Sequence, residues 1–374
     1  MKRRPFIKRI FQFSGGAYIG AQLPLMYGYT PLEKDKKLGI ALVGLGNYST
    51  GQLAPALLET KYCYLAGIVT GTKEKESIWS EKYNIPENNI YNYDNFDTLA
   101  DNEDIDIVYV VLPNSMHAEY TIRAAKAGKH VICEKPMATS VKDGKKMIAA
   151  CEEAGRKLSI GYRLHFDPFN DQMMRLGQNR VYGEMNMESG FAFNLSDPDR
   201  WRIKKAMAGG GPLMDLGVYC IQGCIYTFGE LPTSVWAKNL TRNHDFFTEV
   251  EGTIEWEMSF PSGKAYCITS YEDRYGYLTA NTEKGELKLS PAFIYNGLKG
   301  FTPDGPMTVK PVNQQAAQMD AFAINILKNT PTLVPGEMGL RDNYIIEKIY
   351  ESASKGGVEV SLYDIPNILD LRKE

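Results

Sequence analysis

Two side chains that can carry chemistry lie four residues apart near the middle of the chain. Asp215 and Tyr219 follow the stretch 209–212, which reads Gly-Gly-Gly-Pro. Residues four apart share one face of a helix, so this spacing directs a carboxylate and a phenol the same way. Such a pair can bind a substrate hydroxyl by hydrogen bonds and relay its proton. The alternative interpretation is a capping aspartate beside a packed tyrosine.

A lysine at the end of an apolar run is a second candidate. Lys135 lies in Glu134-Lys135-Pro136, directly after a run that predicts a buried strand. The carboxyl ends of parallel strands face the crevice where ligands bind. Burial or a neighbouring cation could lower the pKa of this lysine enough for proton transfer. Taken alone, a lysine at a strand end is also typical of an ordinary loop.

A glycine-rich motif near the start of the chain predicts a dinucleotide site. Gly44-x-Gly46-x-x-Ser49 separates a strand pattern from a helix pattern. Glycines at this point let the backbone turn tightly and approach a pyrophosphate at the helix N-terminus. Ser49 stands where the fingerprint has its third glycine.

The end of the second strand bears on the choice between NAD and NADP. In NAD-specific folds an acidic residue about 20 positions after the motif binds the ribose 2′-hydroxyl. Here Thr70 and Gly71 are followed by Thr-Lys-Glu-Lys, with no carboxylate before Glu74. Small polar residues and lysines suit a 2′-phosphate, so we expect NADP, with NAD as the alternative. Lys73 and Lys75 can equally be solvated surface lysines.

Alternating strand and helix patterns must position these residues. Short apolar runs are separated by helical patterns and by turn residues, which is the pattern of βαβ units. We predict an α/β Rossmann domain over 38–161, with a doubly wound parallel sheet. Its strands are expected at 39–43, 64–69, 105–112, 130–133 and 157–160, and its helices at 50–59, 118–127 and 142–153.

After residue 161 the pattern changes to the period-two alternation of half-exposed strands. In the segment 250–260, for example, Ile254, Trp256 and Met258 share one face. We therefore predict a substrate and oligomerisation domain over 162–374, of the α+β class with a largely antiparallel open sheet. Its other strands are expected at 185–193, 234–239, 265–271 and 286–289, with a closing helix at 338–354.

The composition excludes several classes of protein. A net charge of −3 and a pI near 6.0 argue against a nucleic-acid partner. No apolar run reaches the roughly 18 residues of a stable membrane span. The six cysteines form no CxxC pair and there are only four histidines, so we expect no structural metal site.

The first residues are typical of an export signal rather than of a folded domain. Arg3 and Arg4 are followed by Phe-Ile-Lys at the twin-arginine spacing and then by a weakly apolar, glycine-containing stretch, 10–26. We predict a Tat-type signal and N-terminal arm over 1–37, and hence a periplasmic protein that is exported already folded. The alternative is a basic tail that happens to contain two arginines.

Four groups of residues together resemble one known family. They are the Gly44–Gly46 turn, the segments 111–119 and 128–140, and the segment 209–219 preceded by Trp201-Arg202. In this order they resemble the glucose–fructose oxidoreductases of the Gfo/Idh/MocA superfamily, and the resemblance runs from about Leu38 to the final helix.

The resemblance implies roles for individual residues. Lys135 would lie next to the reacting hydroxyl, Tyr219 would be the acid/base, and Asp215 would bind substrate. Thr70, Gly71 and Lys75 match the contacts to a 2′-phosphate. The remaining matches are to positions that line the cofactor, namely Leu112, Pro113, Asn114, His117, Glu134, Arg163, Trp201 and Arg202.

Together these features predict an exported oxidoreductase that moves a hydride between a sugar, an aldose or polyol, and tightly bound NADP. A compartment outside the cytoplasm has no reliable pool of free NADP(H), so we expect a ping-pong reaction in which one sugar is oxidised and a second reduced. A homo-oligomer is also expected. One alternative is an NAD-dependent glycoside hydrolase of the same superfamily, although such enzymes tend to lack the Glu-Lys-Pro sequence. A non-catalytic dinucleotide-binding protein is the other.

Overall fold

A parallel sheet organises the first part of the described chain. The computed structural model describes residues 36–366, so the predicted export signal lies outside the described residues. The strands of this sheet are β1 (Leu38–Val43), β2 (Cys63–Val69), β3 (Ile90–Tyr91), β4 (Ile107–Val110), β5 (His130–Cys133) and β6 (Leu158–Ile160). They pair in parallel in the order β3-β2-β1-β4-β5-β6, which places the topological switch point between β1 and β4.

The strands of this sheet are buried on both sides, because helices cover both of its faces. In β1, Ile40 and Leu42 belong to one hydrophobic core and Ala41 and Val43 to the other. The connecting helices are α1 (Ala54–Leu57), α2 (Lys73–Tyr83), α3 (His117–Lys126) and α4 (Val141–Glu153). The helix predicted at 50–59 begins with a π-helical segment, Ser49–Leu53, and ends with α1.

A nine-stranded sheet forms most of the remainder of the described chain, in the order β14-β13-β12-β11-β7-β10-β9-β8-β15. Its pairs are antiparallel except β7 with β10. The strands are β7 (Met185–Ala192), β8 (Ser234–Asn239), β9 (Thr253–Phe260), β10 (Gly263–Ser270), β11 (Tyr275–Thr282), β12 (Gly285–Leu289), β13 (Gly300–Thr302), β14 (Gly305–Pro306) and β15 (Val360–Ser361). The α+β class and the largely antiparallel sheet are thus confirmed.

Helix α5 (Pro168–Gln178) lies between the two sheets in sequence, whereas α6 (Lys205–Ala208) and α7 (Val218–Phe228) lie between β7 and β8. Helix α7 packs on the nine-stranded sheet. The last two helices, α8 (Gln314–Leu327) and α9 (Gly336–Ser354), return to the first sheet. Met319 and Phe322 of α8 lie in the same core as β1, and α9 packs against both α4 and β8. Residues 36–366 therefore share one compact unit, although 38–161 and 162–374 carry different sheets. Within the described range, none of the helices is both long and apolar enough to cross a membrane.

Candidate active site

The glycine-rich turn lies at the carboxyl end of β1, at the switch point of the sheet. Gly44 has φ +91, and a β-carbon there would lie 2.5 Å from the carbonyl oxygen of Val111, so both conformation and space require glycine. At Gly46, by contrast, a β-carbon would meet no atom within 4 Å. The buried Ser49 hydroxyl donates to the Gly44 carbonyl at 2.6 Å and so holds the turn. The turn thus offers exposed backbone next to open space.

The end of β2 brings a cation to this turn. The Nζ atom of Lys75 donates to the Leu45 carbonyl at 2.9 Å, so the lysine reaches back from α2 to the glycine-rich motif. Thr70 is buried and its hydroxyl accepts the Thr72 amide at 3.2 Å, whereas Gly71 is exposed. Lys75 is therefore not an isolated surface lysine, but forms one edge of the glycine-rich turn.

Hydrogen bonds from side chains to backbone carbonyls hold the segment that follows β4. Both ring nitrogens of the buried His117 lie 2.8 Å from carbonyl oxygens, those of Leu112 and Pro136. Burial lowers the pKa of this histidine, although both carbonyl contacts act in the opposite direction. Asn114 donates its side-chain amide to the Ala208 carbonyl at 2.9 Å. The resemblance implied that His117 and Asn114 line the cofactor. In the structure both His117 ring nitrogens and the Asn114 side-chain nitrogen contact this chain's own backbone. Pro113, directly before Asn114, is half-buried.

A buried ion pair links the two sheets. The ammonium of Lys135, at the end of β5, donates to Asp215 through both its carbonyl oxygen, at 2.7 Å, and its Oδ1, at 3.0 Å. The other carboxylate oxygen, Oδ2, accepts from Arg202 Nε at 2.9 Å and from the Tyr271 hydroxyl at 3.0 Å. The guanidinium of Arg202 in turn stacks on the ring of Trp201, 4.6 Å from its centroid. Asp215 thus organises two cations, in addition to any contact with substrate.

The charges of this cluster correct one expectation about Lys135. Burial alone would lower the pKa of Lys135, but the Asp215 carboxylate and the Tyr219 oxygen raise it above its ordinary value. Burial would likewise raise the pKa of Asp215, but Lys135 and Arg202 hold it well below its usual range. The prediction that Lys135 has a lowered pKa suited to proton transfer is therefore wrong. Lys135 is a fixed cation.

Tyr219 lies between two cations and two aromatic rings. Lys135 Nζ is 4.8 Å from its ring centroid, and the Arg163 guanidinium carbon is 5.3 Å from it. Phe191 and Phe293 lie 5.5 Å and 5.8 Å away, centroid to centroid. Two positive charges therefore lie close to the Tyr219 ring. Tyr219 thus lies beside Lys135, and its part in proton transfer stays a prediction.

A buried carboxylate fixes the segment that carries both Asp215 and Tyr219. This segment begins with five π-helical residues, Leu213–Gly217, and continues as α7. Glu251 accepts the amides of Gly211 and Leu213, each at 3.1 Å. Gly211 has no room for a side chain, because a β-carbon would lie 2.2 Å from the Glu251 carbonyl oxygen. The triple glycine thus allows the close approach that holds the helix start.

Glu134 and Arg163 are the two remaining predicted residues, and both are buried. Glu134 accepts from the Tyr109 hydroxyl at 2.8 Å, and burial raises its pKa despite this bond and the nearby Lys135. Arg163 donates to Gln314 on α8 and, at 2.6 Å, to the carbonyl of Phe293. Both side chains brace the surroundings of Lys135 and Tyr219.

Four further residues of the cluster were not predicted. Tyr48 lies within the glycine-rich motif, directly before Ser49, and its position there is the one signal that the sequence offered. Tyr271 and Glu251 lie at strand ends of the second sheet, and Tyr295 lies in a loop without any motif. Their parts in the cluster follow from contacts between residues far apart in sequence, as between Tyr271 and Asp215, which are 56 residues apart.

The residues present fit a dinucleotide. The open backbone at Gly46, the π-helical segment that starts at Ser49, and the Lys75 ammonium meet at one edge of the parallel sheet. Backbone amides at a helix start and a nearby cation are the groups that bind phosphates. Residues 36–366 contain no cluster of three or more His, Cys, Asp or Glu residues that could hold a metal ion.

Two family models match the chain. Residues 38–162 match the model of the oxidoreductase family with an NAD-binding Rossmann fold, GFO_IDH_MocA. Residues 175–288 match the GFO/IDH/MocA C-terminal domain. The two matches fall on the parallel sheet and on the nine-stranded sheet respectively.

Individual relatives span nearly the same length. The crystal structure of an aldose-aldose oxidoreductase from Caulobacter crescentus, complexed with glycerol, is 40% identical with a TM-score of 0.85, over 87% of this chain and 100% of that one. A D-xylose 1-dehydrogenase [NADP(+)] from Haloarcula marismortui is 25% identical over 85% of this chain and 92% of that protein. A D-glucoside 3-dehydrogenase from Escherichia coli is 24% identical over 85% of this chain and 96% of its own. The chain therefore belongs to the Gfo/Idh/MocA family of NAD(P)-dependent oxidoreductases.

Proposed function

We propose that this protein is a sugar oxidoreductase that transfers a hydride between a carbinol carbon of an aldose or polyol and bound NADP. The observation that carries the proposal is the cluster of Lys135, Asp215 and Tyr219, built at the carboxyl edge of the NAD-binding sheet. The names of the relatives support a sugar as substrate, since they are enzymes of xylose, glucosides and aldoses.

In the proposed reaction Tyr219 exchanges a proton with the substrate hydroxyl. The phenol oxygen takes the proton when the sugar is oxidised and returns it when a sugar is reduced. The glycine-rich turn and Lys75 would hold a nicotinamide dinucleotide, which would supply the hydride acceptor for oxidation and the hydride donor for reduction. Lys135, held as a cation by Asp215, stabilises negative charge on the phenol or on the substrate oxygen. Arg202 shares the Asp215 carboxylate and so keeps that anion in place.

The preference for NADP rests on Lys75. Its ammonium lies against the glycine-rich turn, where it would meet a 2′-phosphate. The Thr70–Gly71 end of β2 carries no carboxylate to bind a free 2′-hydroxyl in its place. The NADP specificity in the name of the xylose dehydrogenase supports this choice.

Export and tight retention of the nucleotide complete the proposal. The twin-arginine sequence at Arg3 and Arg4 supports passage across the inner membrane in the folded state. Outside the cytoplasm the nucleotide would have to stay bound and be recycled, with one sugar as donor and a second as acceptor. A slow dissociation rate is sufficient for such retention.

The test begins with the purified protein as it leaves the cell. Denaturation should release NADP(H), and the native protein should convert an aldose donor and an aldose or ketose acceptor together without added nucleotide. Replacement of Arg3 and Arg4 by lysine should leave folded, nucleotide-loaded protein inside the cell. Protein that is empty and needs added NADP would contradict the ping-pong cycle. Activity on aryl or alkyl glycosides alone would instead favour the hydrolase alternative.

A further inference from the structure

The loop between β12 and β13 reaches the catalytic cluster. It spans residues 290–299 and is closed at its base by a bond from the Ser290 amide to the Lys299 carbonyl at 2.9 Å. Phe293 is buried and packs on Tyr219, whereas Tyr295 is 40% exposed. The loop therefore has a fixed base and presents one tyrosine at its exposed tip.

A buried arginine holds the loop in this position. Arg163 donates to the carbonyl of Phe293 at 2.6 Å and to the carbonyl of Ile294 at 3.2 Å. Its guanidinium also lies over two rings, 5.3 Å from the centroid of Tyr219 and 4.6 Å from that of Tyr295. One cation thus fixes the loop backbone and lies between the proposed acid/base and the tip tyrosine.

The phenol of Tyr295 lies among the charges of the cluster. Partial burial, followed by the neighbouring Tyr219, raises its pKa to about 12, while Arg163 and Lys135 act in the opposite direction. The phenol is therefore protonated at neutral pH and can both donate and accept a hydrogen bond. The ring of Tyr48, at the glycine-rich turn, lies 5.8 Å away, centroid to centroid. Tyr295 thus lies near both the proposed acid/base, Tyr219, and the glycine-rich turn.

We infer that Tyr295 is a specificity-determining residue that forms one wall of the sugar pocket, with its ring against the C–H face of the sugar and its hydroxyl on a sugar hydroxyl. This inference rests on the proposed function, because it takes a sugar as the ligand. An aromatic ring that is partly exposed and held from behind by a buried cation supplies apolar surface at little cost in conformational entropy. The hydroxyl of the same ring selects between sugars that differ at one hydroxyl. A sugar without the matching group would leave a buried polar group without a hydrogen-bond partner, which is unfavourable.

The inference is tested by sugar binding, which needs no turnover. D-glucose and D-xylose are titrated into the nucleotide-loaded protein and followed by calorimetry. Tyr295→Ala should weaken binding of both sugars by about tenfold or more, the loss expected when a packed ring is removed. Tyr295→Phe keeps the ring and should change mainly the ratio of the two affinities. The matched control is Tyr64→Ala, because Tyr64 is 39% exposed but lies on β2 at the amino end of the sheet, and its variant should bind like the parental protein.

Each result decides between the inference and the proposed function. If both Tyr295 variants bind both sugars within twofold of the parental protein, the inference about Tyr295 is overturned while the oxidoreductase proposal stands. In a second outcome the parental protein binds sugar and Tyr295→Ala weakens that binding, but no aldose reduces the bound nucleotide. The proposed function is then wrong, while the inference that Tyr295 forms one wall of the sugar pocket stands. If the parental protein binds neither sugar, the inference about Tyr295 is overturned, and the oxidoreductase proposal is decided by whether any aldose or polyol reduces the bound nucleotide.

Discussion

The ion pair between Lys135 and Asp215 offers a direct test of the site, because its removal changes the charge state of a buried lysine. Asp215→Asn keeps the shape of the side chain but deletes the negative charge that Lys135 and Arg202 share. Burial of Lys135 then acts without its main opposing charge, and Arg202 becomes a like charge with no anion between them. Both effects lower the pKa of Lys135 in the variant.

The size of the effect follows from the lost contact. A hydrogen bond to a charged group is worth about 1.5–3 kcal/mol, and one pKa unit corresponds to about 1.36 kcal/mol. In the parental protein the raised pKa keeps the charge of Lys135 fully present below its ordinary value of 10.5, and the charge is lost only at still higher pH. In the variant the alkaline fall in rate should begin about 1–2 pH units lower. At neutral pH, the loss of orientation should reduce the rate by about 10- to 100-fold.

The assay is single-turnover reduction of the bound nucleotide by an aldose, followed by the absorbance of the reduced nicotinamide between pH 6 and pH 10. The matched control is Asp97→Asn, because this carboxylate also pairs with a cation, Arg123 at 2.9 Å, but its side chain is 69% exposed. Exposed pairs contribute little, so the control should follow the parental profile. If the profile of Asp215→Asn overlays the parental one up to pH 10, Asp215 does not set the charge of Lys135 and the mechanism is wrong.

Three other substitutions separate the parts of the site. Tyr219→Phe should reduce turnover by about 10²–10⁴-fold while bound nucleotide and Tm stay nearly unchanged; near-parental turnover would make Tyr219 a packing residue. Lys75→Glu should shift the nucleotide recovered after denaturation from NADP towards NAD, because it replaces the cation at the glycine-rich turn by an anion; an unchanged ratio would place the 2′-phosphate elsewhere. Glu251→Gln should lower stability by about 1–3 kcal/mol in urea unfolding, because an amide group replaces an acceptor of the Gly211 and Leu213 amides; an unchanged midpoint would show that Glu251 does not hold the helix start.

The fold was predictable where the hydrophobic pattern has one period. The strand at 130–133 has the same bounds in the structure, and that at 64–69 differs by one residue. Helix α2 was missed because its sequence is charged on nearly every side, with only Trp79 buried, so no apolar stripe marks it. The helix at 50–59 was predicted as regular, but the π-helical start over Ser49–Leu53 has no sequence pattern of its own.

The site was predictable only as far as local spacing reaches. The i, i+4 relation placed Asp215 and Tyr219 on one helical segment, and the strand-end argument placed Lys135 at the ligand edge. Neither argument could show that Asp215 faces Lys135, since 80 residues separate them in sequence. The direction of the Lys135 pKa shift depends on that long-range contact, and it was therefore predicted with the wrong sign. The place of Tyr295 in the site could not be predicted for the same reason, because its partner Arg163 is distant in sequence.

The Lys135–Asp215 pair also couples catalysis to the packing of the two sheets. Lys135 follows β5 of the parallel sheet, whereas Asp215 lies on the segment that leads into α7 on the nine-stranded sheet. The pair is buried, and loss of the contact between the sheets would deprive Lys135 of its carboxylate partner, whereas Asp215 would keep Arg202 and Tyr271. The proposed acid/base needs the Lys135 cation beside it. The catalytic charge arrangement therefore exists only while the two sheets are packed together, and α8 and α9 secure that packing by returning to the first sheet.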